Sequence, residues 1–266
     1  MPIVRGVDLA VTDTGAGLPI FWGHGLVGSV EQDGQWSVID WNRLARRYRV
    51  IRWDARGHGQ SGGAAVPDDY RWDNHGRDLV ALADALGIDR FVAGGMSMGA
   101  AAALHAATQA PRRVMGIVLA LAPTAYDTRT AQADLYRAAA VLVERMGIDA
   151  YIEQLKNFPA PEILGEAFAE RYFPQPQVSE ELLPSVLRGA ASSDLPAPDA
   201  VHAFSAPALL LPWVSDPGHP ISTSERLVEL LPNVQVHVAH HMSDVANWTD
   251  RVDTFLDQLD QERKSA

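Results

Sequence analysis

The sequence contains no cysteine among its 266 residues. Without thiols the chain can form no disulfide, offer no thiolate to a metal and use no cysteine as a nucleophile. The absence of cysteine also suits a reducing compartment. Basic residues are also scarce: 22 Lys and Arg stand against 33 Asp and Glu, which gives a net charge of −11 at pH 7. This charge disfavours nucleic acid and anionic membranes as partners, and solubility is its simplest explanation.

Long apolar runs are absent as well. Residues 1–6 have no apolar signal core, and no run approaches transmembrane length. We therefore expect a soluble, cytoplasmic protein with no membrane partner. Because 47% of the residues are hydrophobic, the chain can bury the core of one α/β domain, with or without an insertion.

Short apolar runs alternate with longer helical patterns, which is typical of a mostly parallel sheet covered by helices. Strands are predicted at residues 7–11, 19–22, 50–53, 91–93, 114–121, 208–214 and 234–238. Residues 123–205 break this alternation, because they combine helical patterns with prolines and contain no clear strand. The sequence thus predicts an α/β core of residues 1–122 and 206–266 that carries an inserted helical cap, residues 123–205.

A serine lies at the apex of a predicted strand–turn–helix unit. Gly95, Ser97 and Gly99 form the pattern G-x-S-x-G between an apolar strand and an alanine-rich helix. In such a nucleophile elbow the flanking glycines let strand and helix pass closely, and the hydroxyl projects toward a substrate. Ser97 is therefore the predicted nucleophile, and it needs a base and an orienting acid, expected in the chain order Ser, acid, His.

Asp216 is the leading candidate for the acid. It follows the apolar strand at residues 208–214 directly, and side chains at the carboxyl ends of parallel strands face a shared crevice. An Asp-Pro turn without any chemistry is the alternative reading of this position.

The base has four candidates. His240 and His241 follow the last predicted strand, and two adjacent histidines cannot both point at Ser97. We favour His241 because it lies deeper in the loop, with His240 as the alternative. His237 lies within the strand, and His219, three residues after Asp216, could act as the base, line the pocket or cap the next helix.

Two backbone N–H groups are needed to stabilise an oxyanion. The expected donors are Met98, directly after the nucleophile, and Leu26, in the loop after the strand at residues 19–22. His24 in that loop is expected to be structural. The sequence shows no convincing metal-ligand spacing, and its glycine-rich segment at residues 54–62 lacks the Gly-Lys-Ser/Thr of a phosphate loop.

Three landmarks occur together: His24-Gly25, the segment D-x-R-G-H-G-x-S-G at residues 54–62, and the elbow around Ser97. On these motifs the chain resembles the α/β-hydrolase superfamily over almost its whole length. The resemblance implies an eight-stranded, mostly parallel sheet with a helical cap between strands six and seven. It also implies Ser97 as nucleophile, Asp216 as acid and backbone donors at Leu26 and Met98. The chain departs from the family at residues 239–244, which lack the usual glycine before the histidine.

By the family resemblance, the haloalkane dehalogenases and epoxide hydrolases of this fold have an aspartate at the elbow. This chain has Ser97 there, so both of those activities are disfavoured. We expect a serine hydrolase that cleaves a small, fairly apolar carboxylic ester or lactone through an acyl-enzyme, without a cofactor. A C–C bond hydrolase or an amidase with the same triad is one alternative. A catalytically weak ligand receptor on this fold is another, suggested by the irregular histidine loop.

Overall fold

The apolar runs form a central sheet in the computed structural model, which describes residues 1–36, 38–165 and 175–265. Its strands are β3 (Val11–Thr14), β4 (Pro19–Gly23), β5 (Arg49–Trp53), β6 (Phe91–Met96), β7 (Val114–Ala120), β8 (Ala208–Leu211) and β9 (Val234–Val236). They are ordered β3-β5-β4-β6-β7-β8-β9, with β3 antiparallel to β5 and every other pair parallel. The predicted α/β class and mostly parallel sheet are confirmed.

The described residues place seven strands in this sheet, one fewer than the family resemblance implied. The run predicted as one strand at residues 7–11 is divided. Its first part, β2 (Val7–Asp8), pairs with β1 (Ile3–Val4) in a separate two-stranded ribbon, and β3 begins only at Val11.

Helices cover both faces of the sheet. In the described residues they are α1 (Val30–Trp36), α2 (Trp41–Leu44), α3 (Trp72–Ala85), α4 (Met98–Gln109), α5 (Arg129–Met146), α6 (Ile148–Leu155), α7 (Leu183–Ala191), α8 (Pro198–His202), α9 (Ile221–Leu230), α10 (Met242–Val245) and α11 (Trp248–Ser265). Because both faces are covered, every residue of β7 is buried. Alternate strand residues enter two cores: Phe91 packs with the α3 and α4 side, Val92 with the α11 side.

Between β7 and β8 the described residues form helices and no strand. A third apolar cluster lies here, in which α5, α6 and α7 pack together through Val143, Tyr151 and Leu187. This composition supports a helical cap, although the domain boundaries proposed from the sequence stay a prediction. Within the described residues, no helix has the length and apolar character needed to cross a bilayer.

Candidate active site

Ser97 occupies the turn between β6 and α4 in a strained conformation. Its φ of 55° and ψ of −114° lie in a region that residues with a side chain rarely adopt. The turn is held by the packing of α4 on the sheet, which is so close that a Cβ on Gly99 would lie 2.0 Å from the Gly23 carbonyl oxygen. The Ser97 N–H also donates to the Ala120 carbonyl at 3.1 Å. The predicted elbow is therefore present.

Asp216 lies in the loop that follows β8, as expected, and is only 5% exposed. Its Oδ1 accepts the Gly218 N–H at 2.9 Å, and its Oδ2 accepts the Trp213 indole N–H at 2.7 Å. Burial alone would raise the pKa of Asp216, but the adjacent His219 and these two donors lower it to about 2. The carboxylate is thus ionised at neutral pH.

His219 connects this carboxylate to the serine. Its Nδ1 lies 2.8 Å from Asp216 Oδ2, and its Nε2 lies 2.8 Å from Ser97 Oγ. An ionised carboxylate can only accept, so Nδ1 carries the hydrogen and Nε2 is free to accept the Ser97 hydroxyl proton. This is the geometry of a nucleophile, a base and an orienting acid.

The structure therefore corrects the preferred sequence assignment of the base. His241 and its alternative His240 are exposed, and both donate their backbone N–H groups to the Asp244 carboxylate at the start of α10. His237 is held in the sheet edge through its N–H to the Leu210 carbonyl. None of these three histidines lines the cavity that contains Ser97.

Sequence reasoning named His219 among the candidates but did not rank it first. The available signal was its spacing of three residues from Asp216 in a turn-rich segment after a strand. The turn is closed by the His219 N–H, which donates to the Asp216 carbonyl at 3.2 Å, and it begins after Ser215, whose φ is 62°. These features place Asp216 and His219 on one loop.

The loop after β4 approaches the serine from the other side. A Cβ on Gly25 would lie 3.6 Å from Ser97 Cβ, and Leu26 lines the same cavity. Met98 begins α4, where the first N–H groups of a helix have no partner within the helix. The two expected oxyanion donors thus lie on segments that flank the serine.

His24 holds the loop rather than serving as a base. Its Nε2 accepts the Ala55 N–H at 2.9 Å, so its Nδ1 donates to the Gly25 carbonyl at 2.7 Å. Burial lowers the pKa of His24 to about 4, which keeps the ring neutral in this arrangement. Both ring nitrogens are occupied, in agreement with the structural role expected from the sequence.

The glycine-rich segment at residues 54–62 also serves the structure. Asp54 accepts backbone N–H groups from Val30 and Gln60, and Arg56 forms a buried, two-pronged ion pair with Asp78. These groups are therefore occupied within the protein. Among the described residues, no group of three or more His, Asp or Glu side chains is placed to hold a metal ion.

A cavity of about 420 Å³ opens above Ser97, with walls from both the core and the helices between β7 and β8. The core wall includes Leu26, Val27, Val38, Leu121 and Trp213, and the helical wall includes Leu135, Tyr136, Tyr151, Leu155 and Phe158. Most of these side chains are apolar. The volume lies within the range of small-molecule sites.

Comparisons with known proteins point in the same direction. Residues 19–142 match the family model described as alpha/beta hydrolase fold. The chain is 29% identical to the Caulobacter sp. (strain K31) protein assigned as carbamate hydrolase RutD, over 74% of each chain. It is 27% identical to 3-oxoadipate enol-lactonase 2 of Acinetobacter baylyi (strain ATCC 33305 / BD413 / ADP1), over 75% of this chain and 74% of that one. Among solved structures, a thermophilic esterase from Thermogutta terrifontis superposes with a TM-score of 0.81 at 23% identity and covers 97% of each chain.

Proposed function

The chain is a member of the α/β-hydrolase superfamily and a hydrolase, and we propose that it is a serine hydrolase that cleaves a small, fairly apolar carboxylic ester or lactone. The observation that carries this proposal is the pair of 2.8 Å contacts that link Ser97 Oγ to His219 and His219 to Asp216. We assign Ser97 as nucleophile, His219 as base and Asp216 as orienting acid.

The first half of the proposed reaction forms an acyl-enzyme. His219 Nε2 takes the Ser97 proton as Oγ attacks the carbonyl carbon, and the carbonyl oxygen becomes an oxyanion. The N–H groups of Leu26 and Met98 stabilise that charge. The C–O bond to the alcohol then breaks, and the His219 imidazolium gives its proton to the departing oxygen.

The second half releases the acid. His219 removes a proton from a water molecule, the resulting oxygen attacks the acyl carbon, and the proton returns to Ser97 Oγ as the ester bond breaks. Asp216 stabilises the imidazolium in both halves. Its pKa of about 2 supports this role, because the carboxylate stays charged throughout.

The substrate class is inferred from the cavity. Its volume of about 420 Å³ and its mainly apolar walls favour a small ester or lactone with an apolar body. We propose that residues 123–205 act as the cap over this site, since α5 and α6 supply much of the wall. The names of the enol-lactonase and esterase relatives agree with this class of substrate.

Labelling with a fluorophosphonate probe tests the proposal directly. Folded wild-type protein should be labelled at Ser97, Ser97→Ala should not be labelled, and steady turnover of short-chain phenyl esters should disappear in Ser97→Ala. An unlabelled but folded wild-type protein would overturn the assignment of Ser97 as an activated nucleophile.

A carbamate or amide substrate is the second candidate, favoured by the similarity to the carbamate hydrolase assignment at 29% identity. The same triad can cleave a C–N bond. A substrate panel of matched esters, carbamates, amides and vinylogous diketones decides among these and the C–C hydrolase alternative by their kcat/KM values. A ligand receptor is disfavoured because Ser97 is hydrogen-bonded to His219, which is in turn hydrogen-bonded to Asp216. Steady multiple turnover would exclude a receptor.

A further inference from the structure

Tyr151 on α6 is a buried side chain whose hydroxyl has no hydrogen-bond partner among the described residues. Its ring packs in the apolar cluster of α5, α6 and α7, and the residue is 7% exposed. It also lines the cavity above Ser97. The hydroxyl oxygen is not among the fully buried, unpaired polar atoms of the described residues, so it is accessible from the cavity, where a bound group could pair with it. The packing of the ring explains a phenylalanine here but leaves the hydroxyl unexplained.

Gln154 lies three residues further along α6 and therefore on the same helix face. It lines the same cavity, is half-buried, and its side-chain amide likewise has no partner in the described chain. The Tyr151 hydroxyl and the Gln154 amide thus offer hydrogen-bonding groups to the mostly apolar cavity above Ser97. Burial also raises the pKa of Tyr151, so the hydroxyl keeps its proton and can donate it in a hydrogen bond at physiological pH.

We propose that Tyr151 and Gln154 form a recognition site for an oxygen atom of the substrate that is remote from the scissile carbonyl, such as an ether, hydroxyl or second carbonyl oxygen. This inference rests on the proposed hydrolase function and narrows its substrate class. The reacting carbonyl lies at Ser97, and the second oxygen lies against the helical wall. A purely hydrocarbon ester would leave both polar groups unpaired, so the site selects against it.

Matched esters test the inference. An ether oxygen replaces one methylene in phenyl β-ethoxypropanoate and phenyl γ-methoxybutanoate, each compared with phenyl hexanoate, and in methoxyethyl benzoate, compared with butyl benzoate. After division by the spontaneous hydrolysis rates, wild-type kcat/KM should favour at least one ether ester by about three- to tenfold, the value of a typical net hydrogen bond.

The variants should act on this ratio. Tyr151→Phe should lower the preference at least threefold, mainly through KM, while Tyr48→Phe should leave it unchanged. Tyr48 is a matched control because its hydroxyl bonds to Asp253 and it does not line the cavity. If Tyr151→Phe does not fold, Gln154→Met removes the second polar group from a half-exposed position and should lower the same ratio.

Two results would overturn the inference while leaving the proposed function intact. One is steady wild-type hydrolysis with no preference for any ether ester. The other is an equal loss of rate for ether and hydrocarbon esters in the variants, since that would give these residues a purely structural role. Absence of turnover with every ester would instead contradict the proposed function itself.

Discussion

Asp216 and His219 lie three residues apart in one turn, and Asp216 Oδ2 is 2.8 Å from His219 Nδ1. The proposed acid and base therefore share one short loop after β8, and β9 and the loop after it supply neither. A displacement of this loop moves both groups together relative to Ser97. Substitution of His219, compared with substitution of His241, therefore tests which histidine acts as the base.

Replacement of His219 by alanine should abolish most of the activity. Without a base, the Ser97 hydroxyl is a weak nucleophile, and we expect kcat to fall by about 10⁴- to 10⁶-fold. Steady-state hydrolysis of a phenyl ester measures the effect. His241→Ala is the matched control and should keep kcat within about twofold, because that exposed side chain lies outside the cavity. Loss of activity in His241→Ala with retention in His219→Ala would reverse the assignment.

Replacement of Asp216 by asparagine should disturb both the tautomer of His219 and the loop. Both carboxylate oxygens accept N–H donors, from Gly218 on one side and from Trp213 and His219 on the other. An amide NH₂ must therefore face a donor in either orientation. We expect kcat to fall by about 10⁴-fold. Thermal melting monitors folding, and a folded Asp216→Asn variant with more than a tenth of wild-type kcat would contradict the role of Asp216.

The fold was largely predictable from the sequence because its strands are continuous apolar runs. Burial of β7 on both faces gives a continuous apolar run in the sequence, and the close packing of α4 behind Ser97 gives a run of alanines. The elbow was equally predictable, since the close approach of Gly99 to Gly23 requires glycine. Periodicity did not predict the division of residues 7–11 between two sheets.

The proposed base, His219, was harder to predict because loop geometry decides its position. The positive φ of Ser215 and the side-chain turn from Asp216 to Gly218 bring His219 back over the serine. Neither feature produces a periodic pattern. His241 had the expected place in the chain order, but Asp244 binds its backbone N–H and makes it the start of a helix instead.

Stability should fall in mild acid because three neutral histidines are buried together. The rings of His24, His58 and His75 lie in a row, with centroids 5.2 and 6.3 Å apart, and burial lowers their pKa values to about 4, 3 and 4. The unfolded chain binds protons near pH 6.5, whereas the folded chain does not. The contribution of these neutral histidines to the free energy of unfolding is therefore fully present above pH 6.5. It falls as the pH drops from 6.5 toward 4, by about 1.4 kcal/mol per pH unit for each histidine.

His75→Leu tests this linkage, because the His75 Nε2 has no hydrogen-bond partner among the residues that the structure describes. Urea unfolding between pH 5 and pH 7 should show a pH slope that is smaller than the wild-type slope by about 1.4 kcal/mol per unit. His240→Ala, at an exposed position, should keep the wild-type slope. An unchanged slope in His75→Leu would mean that this ring is not neutral in the folded protein.

Arg129 should hold the helices between β7 and β8 to the core. It begins α5 and is buried, where it donates to the carbonyls of Ser193, at 2.7 Å, and Ala190. Its guanidinium carbon also lies 4.2 Å from the ring centroid of Trp72 on α3. Arg129→Met removes these charged hydrogen bonds and leaves the Ser193 carbonyl without the donor it has in the described structure, whereas the Ala190 carbonyl keeps the Ser193 N–H, so we expect a loss of about 2 kcal/mol in the free energy of unfolding.

Lysine should not rescue this position, because a single ammonium cannot reproduce the planar, forked donor set or stack on the indole in the same way. Arg137→Met is the matched control on the same helix, since Arg137 is exposed and its ion pair with Asp134 lies at the surface. Urea unfolding of the three variants gives the comparison. Equal stability of Arg129→Met and Arg137→Met would show that the buried guanidinium is not what fastens α5, and full stability of Arg129→Lys would show that charge alone suffices.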